Sequence, residues 1–391
     1  MKAKAAISKL WSSIWTARAI ALVVLCMIPM AAVLLSPADT VPVDASFPAK
    51  PTTAELAFLR DVYTGPPSTW PRPRLLPEAQ FTEMAPLARH PQPEGDAREW
   101  ARLGAALFED PLLSASGHFS CQSCHNRRLG WGDGLPTSFG HGRAQGRRNA
   151  PGLFTVGYKS TFFWDGRATS LEEQALGPLV DTSEMANHDM AGLSDRVNAT
   201  DRYRAAFSVL TGRDTVGIDD VTAALAAFQR TLERRTRFDR FLEGDANALT
   251  DTQIWGLHLF RTKAGCANCH SGPTLSDGAF HNLGLSFFNR GREDLGRYEV
   301  TGDPHDAGRF STPPLRHVGK TAPYMHNGIF PTLAGVIRLY EAGGGRVRAD
   351  QELLPERRAL LESVVKKSPQ LEPFELTDLE RAALVAYLNA L

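Results

Sequence analysis

Two pentapeptides constrain this chain more than anything else in it: Cys121-Gln-Ser-Cys124-His125 and Cys266-Ala-Asn-Cys269-His270. Each is C-x-x-C-H, the spacing at which two thiols add across the vinyl groups of a porphyrin and the adjoining imidazole lies beneath the iron. With 5 cysteines and 11 histidines in 391 residues, chance gives about 0.002 such pentapeptides, so two are not accidental. Structural zinc is the competing reading. Zinc ribbons close their second pair within about 15–20 residues, whereas roughly 140 intervene here, and zinc gives no reason for a histidine after each pair. The motifs therefore predict two covalently bound haem c groups. Cys121, Cys124, Cys266 and Cys269 would hold them, with His125 and His270 as proximal iron ligands.

The chain has room for two domains behind an N-terminal segment. Lys+Arg and Asp+Glu both total 43, so bulk charge offers nothing to nucleic acid or another polyanion. Four of the five cysteines belong to the motifs. The fifth, Cys26, lies in an N-terminal apolar run, so no disulfide framework remains. Haem attachment at C-x-x-C-H takes place outside the bacterial cytoplasmic membrane, and the N-terminus agrees with export. Lys2, Lys4, Lys9 and Arg18 precede the apolar run Ala19–Leu35, a basic n-region and then an h-region. Residues 1–35 read as a signal peptide or a membrane anchor, the run being long for the first and just long enough for a tilted span. The expected compartment is the periplasm, with a tether to the inner membrane if the segment is kept.

Residues 36–95 are a proline-rich linker, with Pro48, Pro51, Pro66, Pro67, Pro71, Pro73 and Pro77 at its centre. Such a stretch resists helix and sheet and reads as an extended tether or wrapping arm, with one short helix over Thr53–Val62. Folded structure is expected from Asp96. Arg98–Phe108 has helical spacing, with Leu103 and Leu107 on one face. Its Leu103-Gly104-x-x-Leu107-Phe108 is echoed by Gly256-Leu257-x-Leu259-Phe260 ahead of the second motif, which predicts two cytochrome c-like units. Between them, Ile218–Leu242 reads as one long amphipathic helix capped by Asp219 or Asp220 and ended by Gly244-Asp245. That ending divides a first haem domain, 96–245, from a second, 246–391. Strand signals are few. The expected fold class is mainly α, with long loops lying against the haems.

The long loop after the first motif carries further signatures: Phe163-Trp164-Asp165-Gly166-Arg167 and Ser170-Leu-Glu-Glu-Gln174-Ala. Later come Thr312-Pro-Pro-Leu-Arg316 and Thr321-Ala-Pro-Tyr-Met-His-Asn-Gly328. With both haem motifs and Leu103–Pro111, these resemble the bacterial di-haem cytochrome c peroxidases and their MauG-type relatives, from about Arg98 to the C-terminus. The resemblance implies that the first haem reacts with hydrogen peroxide. It places Gln174 and Glu184 in that haem's distal pocket, where a carboxylate can carry a proton between the two oxygens. It places His141, between Gly140 and Gly142, as a removable sixth ligand, and Trp164 as a relay between the haems. Asn149, with the carbonyls of Thr321 and Pro323, would form an inter-domain calcium site of neutral oxygens. His281 and His326 sit in stretches placed to contact haem propionates.

One position departs from the peroxidase pattern. Typical members place a methionine opposite the second proximal histidine, whereas this chain presents Tyr340, as MauG-type members do; Met325 is the rival ligand. Phenolate is a hard anion that stabilises oxidised iron and lowers its potential. The leading expectation is an exported peroxidase, fed through the second haem by a small periplasmic c-type cytochrome or a cupredoxin. The alternatives are a MauG-like enzyme that oxidises Trp or Tyr side chains of a partner protein, and a plain di-haem electron carrier. Members of the family are often homodimers, which leaves that state open here.

Overall fold

The computed structural model describes residues 46–348 and 353–391. The expected signal or anchor segment, residues 1–35, lies outside the described residues. Among those described, thirteen α-helices are joined by long loops, and a single two-stranded antiparallel ribbon pairs Phe280–Asn282 with Arg309–Ser311. No helix among them is long and apolar enough to cross a membrane.

Two helix crossings frame the molecule, and a glycine sits at the centre of each. The Gly95–Glu109 helix packs on the Ile218–Gln229 helix so closely that a Cβ at Gly104 would lie 1.8 Å from the Ala224 carbonyl oxygen. The Asp251–Arg261 helix crosses Asp378–Leu388 in the same way, with a Cβ at Gly256 falling 2.1 Å from the Ala383 oxygen. Only a residue without a side chain permits such an approach. The two glycines begin the same G-x-x-L-F run, so the sequence echo is a repeated packing device. Leu107 and Phe108 are buried in one core and Leu259 and Phe260 in another.

The first core gathers side chains between Leu103 and Leu232; the second draws on residues 238–391 and also on Phe47, Leu59, Tyr63, Trp70 and Met84. Folded structure therefore begins well before Asp96. The wrapping arm holds a capped helix, Thr53–Thr64, in which Thr52 and Glu55 satisfy each other's backbone N–H groups. Tyr63 Oη lies 3.0 Å from His258 Nδ1, Arg74 N donates to the Arg261 carbonyl at 2.9 Å, and Leu76 N donates to Asn268 Oδ1 at 2.7 Å. Asn268 lies inside the second C-x-x-C-H, so the arm is tied to that motif. Prolines keep the arm extended, and its aromatic residues anchor it; a buried large apolar side chain contributes about 1.5–3 kcal/mol.

The long helix expected over Ile218–Leu242 is two helices, Ile218–Gln229 and Arg237–Leu242. Thr236 caps the second and exchanges hydrogen bonds with Asp239, whose buried carboxylate also pairs with Arg316 at 3.2 Å. That local network outweighs continued helix across Arg230–Arg235. Asp220 caps the first helix, its carboxylate accepting from Gly217 N at 2.8 Å.

Candidate functional site

One cavity of about 1000 Å³ is lined by both C-x-x-C-H motifs. The two motif sides are built alike. His125 Nδ1 lies 2.8 Å from the Trp131 carbonyl and His270 Nδ1 lies 3.0 Å from the Leu275 carbonyl. A carbonyl only accepts, so each Nδ1 carries the proton and each Nε2 keeps its lone pair, the arrangement a metal-binding imidazole needs. Trp131 and Leu275 both hold left-handed backbone, at φ 65° and 57°, which costs energy in a non-glycine residue. That strain recurs in both halves. All four motif cysteines are unbridged, and burial pushes their thiols up, Cys121, Cys266 and Cys269 to about 12. Paired thiols, a free imidazole nitrogen and an otherwise largely apolar wall fit a covalently held haem at each motif.

Opposite the motifs a second repeat appears that the sequence reading passed over. Phe162–Ala168 and Tyr324–Phe330 each form a short bridge, with left-handed residues at Phe163 and Met325 and again at Gly166 and Gly328. A hydroxyl cap then starts a helix in each half. Ser170 accepts from Glu173 N at the head of Leu171–Val180, and Thr332 accepts from Gly335 N at the head of Leu333–Glu341. Counted from those caps, Gln174 matches Val336 and Pro178 matches Tyr340. All four line the cavity. One helix therefore offers a phenol where its counterpart offers a ring with no donor atom.

Electrostatics place these residues beside their motifs. Burial raises the Tyr340 phenol, and the Cys269 and Cys266 thiols push it the same way. Glu184 is felt by Cys121 and Cys124. Burial, then the Asp181 carboxylate, lift Glu184 to about 7, against a smaller opposing pull from Arg167. Its loop is pinned on both sides: Met185 N donates to the Pro178 carbonyl at 3.2 Å, and His141 N donates to the Glu184 carbonyl at 2.9 Å. Gly140 is obligatory there, since its Cβ would come within 2.3 Å of the Ser183 oxygen. Met325 also lines the cavity, but in the turn before the Tyr340 helix. His141 is not among the lining residues, and its buried Nδ1 has no hydrogen-bond partner.

Between the halves, Trp164 Nε1 donates to the Asn149 carbonyl at 2.9 Å, and Asn149 N donates to the His326 carbonyl at 2.7 Å. His326, Trp164's counterpart in the repeat, meets it edge to face at 6.4 Å and stacks on Phe310 at 3.5 Å. His326 is 4 % exposed, and burial lowers its imidazole to about 3, so the ring is neutral. The Asn149 side chain donates to the Leu135 carbonyl at 2.9 Å, and Asn149, Thr321 and Pro323 all line the cavity. An ion cluster locks this region: Arg148 pairs with Asp165 and, through two 2.7 Å contacts, with Asp294.

Comparison with known proteins agrees with this architecture. A family model described as di-haem cytochrome c peroxidase matches residues 98–247. Cytochrome-c peroxidase IdrP1 of a Pseudomonas strain is 34% identical over 340 residues, covering 79% of this chain and 85% of that one. The chain belongs to the di-haem cytochrome c peroxidase and MauG family. Methylamine utilization protein MauG of Methylorubrum extorquens is 39% identical over 306 residues, 77% of this chain and 80% of its own. The crystal structure of a MauG-like protein associated with microbial copper homeostasis superposes with a TM-score of 0.66 at 32% identity, covering 82% of this chain and 92% of that one. This member is thus an oxidoreductase of the di-haem, mainly helical class.

Proposed function

We propose that the chain reduces hydrogen peroxide to water in its first pocket, drawing electrons through the second pocket and Trp164 from a small periplasmic c-type cytochrome or cupredoxin. Glu184 carries this reading, as a buried carboxyl poised near pH 7 beside the first motif. A haem at Cys121, Cys124 and His125 would supply the iron at which the O–O bond is broken. Glu184 then accepts a proton from the entering peroxide and returns it to the departing oxygen, two electrons and two further protons giving two waters. Gln174 orients the peroxide or a water by hydrogen bonding. Pro178 adds no competing ligand. His141 can act as a removable ligand only if its loop turns inward, a movement the flexible Gly140 and Gly142 allow. Replacing Glu184 by Gln should slow the reaction of the haem-loaded chain with peroxide at least about a hundredfold; an unchanged stopped-flow rate would remove Glu184 from the mechanism.

Tyr340 favours a second reading. A phenolate on the second iron, supplied from beside Cys266 and Cys269, would lower its potential and suit the oxidation of Trp or Tyr side chains on a partner protein. A plain electron carrier has no use for a carboxylate tuned to about 7. Asn149 Oδ1 with the Thr321 and Pro323 carbonyls would hold one calcium ion, the three neutral oxygens suiting a hard cation of modest affinity. Thioether attachment of haem at the two motifs, as proposed, and the basic-then-apolar N-terminus support export to the periplasm.

A further inference from the structure

Five cationic side chains line the cavity, and four already have an anion. Arg147 pairs with Glu299, Arg148 with Asp165 and Asp294, Arg167 with Asp165, and Arg316 with Asp239. The fifth is Lys159. Among the described residues its ammonium makes no hydrogen bond or ion pair, and only its backbone N–H is used, donating to the Val156 carbonyl at 3.2 Å. Burial alone lowers the ammonium to about 8, with no carboxylate to pull it back. At neutral pH it is therefore still mostly charged, on a half-buried side chain that lines the cavity, and a haem filling that cavity would take the charge out of water, where it needs an opposite one. The cavity-lining acids do not serve. Asp165 and Glu299 are held by arginines, Glu372 pairs with Arg74, Asp181 accepts from Ser183 N and Oγ, and burial holds Glu184 largely protonated below about pH 7.

Lys159 belongs to the first half of the cavity. It stands between Val156 and Phe162, both buried in the first core, against which Cys121 also packs. Each haem brings two propionate carboxylates, which are the anions missing from this wall. We propose that Lys159 is an anion-binding residue of the first pocket, pairing with a propionate of the haem attached at Cys121 and Cys124. The inference rests on the two-haem reading and not on the peroxide chemistry. The ammonium keeps its propionate ionised and offsets that negative charge near the iron, so it favours the reduced haem.

Spectroelectrochemical titration of the haem-loaded full chain at several pH values tests this, after haem content has been checked by absorbance. In Lys159→Met, one of the two redox waves should move to lower potential by at least about tenfold in its equilibrium, about 59 mV for a one-electron couple. The same wave should become pH-dependent as the released propionate titrates. Lys159→Arg should keep the wild-type position and slope. Unmoved waves in Lys159→Met, equal movement of both waves, or an Arg variant displaced as far as the Met variant would overturn the assignment. A chain inert to peroxide whose Lys159→Met variant still moves one wave would sink the proposed reaction and leave this inference standing.

Discussion

On the motif side, each half of the cavity sets a C-x-x-C turn, a histidine and a carbonyl from a left-handed residue, Trp131 or Leu275, in the same order. On the facing side each half again repeats a bridge, a turn and a capped helix, and there the resemblance stops at the side chains. Pro178 stands where Tyr340 stands, Gln174 where Val336 stands, and the first half adds an acid, Glu184, on the loop after its helix. The backbone is conserved between the halves because it holds the same kind of group. The chemistry differs because three or four side chains on one helix and its following loop differ. On the proposed reading, this duplicated fold keeps one pocket closed by an internal ligand and leaves the other free for a small reactant.

The largest expected effect sharpens this contrast. With Glu184 at about 7, the ionised fraction of a single base falls about tenfold per pH unit below that value. The second-order rate with peroxide should therefore fall by roughly fiftyfold between pH 7 and 5, and Glu184→Gln should flatten that limb. A wild-type rate independent of pH over this range would break the assignment of the acid to the first pocket.

The shared frame comes next. Gly104→Ala and Gly256→Ala each force a methyl onto a carbonyl oxygen at 1.8 and 2.1 Å. Each should cost about 1–3 kcal/mol by denaturant unfolding. A loss in one half only would show that the two crossings are not equivalent.

Much of this frame was legible in the sequence. The motifs, the G-x-x-L-F echo and the helices that precede each motif are local signals, set within one or two turns. What lay hidden depends on distant partners. Proline content described the arm's lack of regular structure correctly but was silent on Tyr63 finding His258, far along the chain. The break after Gln229 depends on Asp239 meeting Arg316, and Lys159 stands out only once the other cavity cations are seen to be paired. Glu184, Gln174 and Tyr340 were found by resemblance to family motifs. Pro178 was missed because a proline near a helix end reads as punctuation. Aligning Phe163-Trp164-Asp165-Gly166 with Met325-His326-Asn327-Gly328 would have found it.

Smaller effects separate the pockets further. Tyr340→Met should raise the second haem's potential by at least about tenfold in its redox equilibrium, about 59 mV, because a thioether favours reduced iron more than phenolate does. No change in potential or spectrum would exclude Tyr340 as a ligand and leave Met325 to be tried. His141 lies outside the cavity lining. His141→Ala should therefore alter the peroxide rate of the oxidised chain by less than about twofold, the range of substitutions that remove no contact. A large acceleration would place its imidazole on the first iron.

The most direct test of the asymmetry is stopped-flow absorbance of the fully oxidised, haem-loaded chain mixed with hydrogen peroxide, wild type beside Glu184→Gln. The account predicts a rapid, concentration-dependent spectral change in the wild type without prior reduction, slowed at least about a hundredfold in the variant. Equal rates in the two proteins, or a wild type that reacts only after one electron has been added, would contradict an open first pocket served by Glu184.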